Sequence, residues 1–186
     1  LDPPNRDVLV GGSPLRLTFQ DVADLADGYA LRLLELGLGR DDVLVTQLPN
    51  IAEYPAIYLA ALRLGIIVSP VPMQFRRHEL EQIVDLTGAR AMLTVRTLKG
   101  ADYAESAVEL GKGRPLQVLC LGPDAPEGSL PFVPAALTTA SRAALAAHVD
   151  ALQVSADDVA TICWTSGTEG MPKGVPRTHN HWIAIS

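Results

Sequence analysis

With 186 residues, 48% of them apolar, and a formal net charge of −6, the chain has the composition of a globular core rather than of a disordered segment. Its basic residues are scattered and outnumbered, which excludes the basic face that nucleic acid requires, so no nucleic-acid partner is expected. The most apolar stretch, around Tyr58 to Val71, is interrupted by Arg63, Gly65 and Pro70, and Leu1 to Val10 carries prolines and charges, so neither a membrane span nor a signal segment is expected.

The spacing of Val22, Leu25, Ala26, Tyr29, Leu33 and Leu36 predicts an amphipathic helix from Leu17 to Gly37, with Thr18 as N-cap and Asp21 completing a capping box. Val43 to Leu48 reads as a buried strand ended by Pro49 and Asn50, Ile51 to Leu64 as a helix stopped by Gly65, and Ile66 to Val71 as the next strand. A helix over His78 to Leu86 with Gly88 past its end, a strand over Ala91 to Val95, a helix over Asp102 to Leu110 and a strand over Leu116 to Leu121 continue the alternation. Gly122 to Pro134, rich in Pro, Gly and acidic residues, reads as a surface loop, and Ser141 to Leu152 as a helix. Asp157 to Trp164 forms a last strand, and a new helix begins near His179. Continuous apolar strands alternating with helices predict a doubly wound, mainly parallel α/β sheet flanked by helices on both faces. One subdomain over residues 1–186 is expected.

The last strand runs into Thr165-Ser166-Gly167-Thr168-Glu169-Gly170-Met171-Pro172-Lys173-Gly174-Val175. Glycines let successive N–H groups converge on an anion, hydroxyls add donors, and Lys173 supplies charge, a chemistry suited to polyphosphate. Pro172 fixes its own φ and biases Met171 towards an extended shape. A nucleotide-hydrolase P-loop is excluded by spacing: only Thr168 and Glu169 separate Gly167 from Gly170, and Gly174 rather than Ser or Thr follows Lys173. The run would sit at the carboxyl end of a parallel strand, where such sheets bind ligands.

This run resembles the Thr-Ser-Gly-Thr-Thr-Gly-x-Pro-Lys-Gly signature of the acyl-adenylating, AMP-forming superfamily, which includes acyl-CoA synthetases, aryl-acid ligases, peptide-synthetase adenylation domains and luciferases. Glu169 departs from it, standing where that signature has Thr. Leu17-Thr18-Phe19, the passage from Leu62-Arg63-Leu64-Gly65 to Pro70-Val71, and Glu79-Leu80 are similar to that superfamily's amino-terminal subdomain in order and spacing. By that resemblance the chain is roughly the first third of an enzyme, with the adenine and acyl pockets and a carboxy-terminal lid beyond Ser186. It implies ATP, Mg2+ and CoA as cofactor and co-substrates, a small carboxylic acid as substrate, and the remaining carboxy-terminal domains as the partner. It further implies that Thr165, Ser166, Gly167, Thr168, Glu169, Gly170 and Lys173 contact phosphate, with Glu169 either pointing away or helping to hold magnesium. No catalytic residue is expected within these 186 residues, which alone would be inactive because half a nucleotide site cannot orient a carboxylate against an α-phosphate.

Phe75 to Leu80 and Lys99 to Tyr103 resemble acyl-CoA synthetases of medium-chain, long-chain and alicyclic acids more than amino-acid adenylation domains, which makes such a synthetase the expected enzyme; Pro176-Arg177-Thr178-His179-Asn180 also resembles aryl-acid ligases of siderophore biosynthesis, the enzymatic runner-up. A phosphate-binding or scaffolding domain without catalysis is the alternative of another class. Thr178 is expected to cap the helix near His179, and His179 and His181 lack the cysteine or carboxylate cluster of a metal site. His78 and His148 read as surface residues, and Trp164 and Trp182 as packing residues. Cys120 and Cys163 read as buried free thiols in apolar strands, which suits a reducing cytoplasm.

Overall fold

A computed structural model describes Arg6, Val10 and residues 14–165 and 172–184. Its elements follow in the order α1 (Phe19–Glu35), β1 (Val43–Gln47), α2 (Glu53–Arg63), β2 (Ile67–Pro70), α3 (Arg77–Thr87), β3 (Ala91–Val95), β4 (Thr97–Leu98), β5 (Ala101–Asp102), α4 (Tyr103–Gly111), β6 (Gln117–Leu121), β7 (Leu130–Phe132), α5 (Thr139–Leu152), β8 (Val159–Thr165), β9 (Lys173–Thr178) and α6 (His179–Ala184). Among the described residues, seven strands form one sheet in the order β7-β6-β3-β1-β2-β8-β9, parallel except for the β8–β9 hairpin. No helix of the described residues is long and apolar enough to cross a membrane.

Side chains alternate between the two faces of the sheet. Leu44, Ala91, Leu93 and Leu119 join one core with Ala30 and Leu33 of α1, Ile57 of α2 and Leu145 of α5. Their neighbours Val43, Val45, Met92 and Val118 join a second core with Ile83 of α3 and Leu110 of α4. The expected two-sided cover is therefore present, and each such fully buried Leu or Ile contributes on the order of 1.5–3 kcal/mol. Helix ends follow local chemistry. The Asp21 N–H donates to Thr18 Oγ1 at 3.1 Å while the Thr18 N–H donates to Asp21 Oδ2 at 2.7 Å, completing the expected capping box. Gly88 caps α3 in the left-handed region.

Three pieces depart from the sequence reading. Within Gly122 to Pro134, expected to be a loop, Leu130–Phe132 forms the edge strand β7, paired in parallel with β6. Pro131 is tolerated there because an edge strand has one unpaired side, and Phe132 is fully buried with its ring stacked on Tyr29 at 5.2 Å. Chain leaving β7 crosses α1 closely: the Ala135 N–H donates to the Gly28 carbonyl at 3.0 Å, and a Cβ on Gly28 would lie 2.8 Å from Pro134 Cβ. Second, Thr97 to Asp102 forms a small antiparallel hairpin whose turn puts Lys99 and Gly100 at positive φ. Third, Lys173–Thr178 is a strand. Phe132→Ala should lower stability by about 3–5 kcal/mol in chemical denaturation; a loss below about 1 kcal/mol would remove β7 from the core.

Candidate functional site

Proline marks the carboxyl ends of β1 and β2: Leu48 and Pro49 follow β1, and Pro70 ends β2, with Val71 and Pro72 after it. The chain switches direction across the sheet between β1 and β3, since β2 lies on one side of β1 and β3 on the other. Over these carboxyl ends lies a cavity of ≈ 720 Å³, walled by Pro49, Tyr54, Pro70, Met73, Lys99 and Trp164 among others. Open α/β sheets bind ligands at such a switch point. A second, more apolar cavity of ≈ 560 Å³ adjoins it along α2, sharing Asn50 and Tyr54 and adding Tyr58 and Leu59.

Of the seven residues expected to contact phosphate, Thr165 and Lys173 are described, and they are cross-strand partners: Thr165 ends β8 and Lys173 begins β9. Both are exposed at the carboxyl edge, as the position of the motif requires. Ser166, Gly167, Thr168, Glu169 and Gly170 lie outside the described residues. The antiparallel pairing continues through Trp164↔Gly174 and Cys163↔Val175, so the two ends of the motif are fixed relative to each other by backbone hydrogen bonds. Gly174 is required by packing. A Cβ there would lie 2.9 Å from Ile162 Cγ2 and 3.0 Å from Trp164 Cη2.

Behind the motif, side chains of β8 are tied to neighbouring elements. Trp164 Nε1–H donates to Ser69 Oγ of β2 at 2.8 Å, and Trp182 Nε1–H of α6 donates to the buried Thr161 Oγ1 at 3.0 Å. Tyr54 OH and Thr46 Oγ1 lie 2.9 Å apart. Burial raises the Tyr54 phenol, partly opposed by that hydrogen bond, and pushes the Tyr58 phenol up to about 12 against a hydrogen bond from Thr161. Both therefore stay protonated at neutral pH and are not bases there.

His181 of α6 takes a structural role. Thr178 caps the helix as expected: the His181 N–H donates to Thr178 Oγ1 at 3.2 Å, and the Thr178 N–H donates to His181 Nδ1 at 3.1 Å. Asn180 Nδ2 donates to Asp157 at 2.7 Å, which ties α6 to the turn before β8. His78 and His148 are exposed, as expected. Cys120 is buried, its thiol pushed up to about 11 by burial, whereas Cys163 is half-buried on the cavity wall, a departure from the buried position expected of it. Three strands separate β6 from β8, so the two sulfurs are too far apart to bridge. The tethers of Trp164 and Trp182 join residues far apart in the chain, so local residue pattern carries no signal that their N–H groups reach Ser69 and Thr161.

A model of the AMP-binding enzyme family matches residues 2–185. A 2-hydroxy-7-methoxy-5-methyl-1-naphthoate–CoA ligase of Streptomyces carzinostaticus is 32% identical over 181 residues, covering 95% of this chain and 32% of the relative. A salicylyl-CoA synthase / salicylate adenylyltransferase of a Streptomyces species is 31% identical, covering 94% of this chain and 32% of the relative. The apo structure of MbtA from Mycobacterium smegmatis superposes with a TM-score of 0.70 at 28% identity, covering 91% of this chain and 30% of that one. The chain thus spans about a third of the length of the curated relatives it matches. Gly174→Val should force Trp164 and Ile162 apart and destabilise the β8–β9 hairpin by about 1–3 kcal/mol, read by thermal unfolding; an unchanged midpoint would refute the packing role of Gly174.

Proposed function

The chain belongs to the AMP-binding enzyme family, and we propose that the protein it comes from activates a carboxylic acid with ATP, releasing pyrophosphate, and passes the acyl group of the resulting acyl-adenylate to the thiol of CoA, releasing AMP. The observation that carries this reading is the pairing of Thr165 with Lys173 at the carboxyl edge, beside the cavity over the switch point. In the first step the acid's carboxylate attacks the α-phosphate and the bond to pyrophosphate breaks. Charge builds on the leaving group, and Lys173 with the Thr165 hydroxyl, set opposite each other by the strand pairing, would stabilise it. Ser166, Gly167, Thr168 and Gly170 are assigned to the same role, and Glu169 to the magnesium that accompanies the phosphates or to solvent. Mg2+ bound with ATP would neutralise charge on the departing pyrophosphate, with Glu169 the residue of this chain assigned to it.

For the acid, an aryl carboxylate fits better than an aliphatic one. The passages resembling ligases of fatty and alicyclic acids are engaged in holding the fold. The Arg76 N–H donates to Glu79 at 2.9 Å to cap α3, Lys99 and Gly100 turn a hairpin, and Tyr103 OH donates to the Met73 carbonyl at 3.0 Å. Residues with such duties say little about substrate. Two relatives are named for a naphthoate and for salicylate, and the cavity offers Tyr54 and Trp164 as flat walls. Residues 1–186 are assigned as one subdomain of the longer protein, inactive alone because the acid and α-phosphate need walls on both sides.

ATP–pyrophosphate exchange by the full-length protein should be fastest with an aryl acid in a panel that also holds alicyclic and fatty acids, and absent from residues 1–186 alone. Lys173→Ala should lower the exchange rate by about 10²–10³-fold while leaving the unfolding midpoint in place. Exchange led by a fatty acid would favour the aliphatic reading. Silence across the panel from a folded protein that binds ATP would assign the domain to phosphate binding or scaffolding.

A further inference from the structure

The ladder between β2 and β8 pairs Val68 with Thr161 and goes no further among the described residues. Its stopping point has a cause in the sequence. Within β2, the Ile67 N–H donates to the Asp42 carbonyl and the Val71 N–H to the Thr46 carbonyl, both at 2.9 Å on the β1 side. Alternation then turns the backbone nitrogens of Val68 and residue 70 towards β8. Residue 70 is Pro70, which has no N–H to give. The carboxyl half of β8, which carries the motif, is thus left without this backbone tie to the parallel sheet.

A side chain takes its place. Trp164 Nε1–H donates to Ser69 Oγ at 2.8 Å, and Ser69 is fully buried in β2. The same indole reaches the other way across β9, where a Cβ on Gly174 would lie 3.0 Å from Cη2 and 3.1 Å from Cζ3. One residue therefore brackets β2, β8 and β9 together, immediately before Thr165 and opposite the residue that follows Lys173. We propose that Trp164 is a positioning residue for the phosphate-binding motif: its hydrogen bond to Ser69 and its contact with Gly174 fix where Thr165 and Lys173 stand relative to the parallel strands.

This inference rests on the adenylating reading for its kinetic arm and on the geometry alone for its second arm. Trp164→Phe keeps a ring over Gly174 and removes the donor; Ser69→Ala removes the acceptor with little loss of volume. In the full-length protein, each should lower kcat/KM for MgATP in pyrophosphate exchange by roughly 5- to 15-fold, the scale of one lost hydrogen bond, while KM for the acid holds. The double variant should be no worse than the weaker single, because both remove the same link, and Ser69→Thr should restore the hydroxyl and the rate. A residue that only fills the core would lower the unfolding midpoint and leave the split between ATP and acid parameters unmoved. Folded single variants with ATP parameters within about twofold of wild type, or losses that multiply in the double variant, would overturn the proposal.

Hydrogen exchange on the same proteins supplies the second arm. The amides of Lys173 to Val175 should exchange faster in both single variants, by matching factors, and unchanged exchange there overturns the bracket. If the wild-type protein shows no pyrophosphate exchange with any acid, the adenylating reading fails, and the amide exchange alone decides whether Trp164 positions the motif.

Discussion

Pro70 cannot donate to β8, and the shape of the functional edge follows from that missing hydrogen. Parallel strands in a doubly wound sheet hold one another through evenly spaced backbone bonds, and losing one at a carboxyl end lets neighbouring strands diverge where a ligand would enter. Here the cavity over the carboxyl ends takes Pro70 and Met73 from the end of β2 and Trp164 from β8 into its walls. The fold therefore does not need a separate device to make room. It omits a bond, and then restores the lost positional control with the indole of Trp164 on Ser69.

The rest of the framework supplies rigidity behind that opening. Asp27 of α1 accepts from Arg63 of α2 and from Arg142 of α5, so the three helices on one face share a single carboxylate. Arg40 does comparable work at the amino edge, donating to the Leu152 carbonyl at the end of α5 and to Asp158 just before β8 at 2.7 Å. Partly exposed pairs of this kind add little stability one by one. Their value is geometric, since they join elements that are distant in sequence and leave β8 entering the sheet at a fixed place.

Much of this was legible in the chain itself. Helices α1 to α5 and strands β1, β2, β3, β6 and β8 follow from apolar spacing and from caps such as Thr18 with Asp21, because burial and capping are decided by neighbours three or four residues away. The motif from Thr165 to Lys173 could be placed at a carboxyl end for the same reason. What escaped depends on partners far along the chain. Strand β7 is three residues with a proline at its centre, and contacts distant in sequence, the Tyr29 ring and the edge of β6 among them, make it a strand. Strand β9 carries Gly174 and Pro176, poor strand formers that are recruited by pairing with β8. Half-burial of Cys163 on a cavity wall is equally a product of tertiary arrangement.

The pairing of Val68 with Thr161 also bears on how the protein is made. Strand β2 can join β1 as soon as both have been synthesised, yet its other side stays open until β8 has emerged, after every intervening helix and strand. A growing chain thus carries an apolar strand with a bare edge, the kind of surface on which neighbouring chains pair wrongly. Pro70 shortens that edge by removing one of its donors.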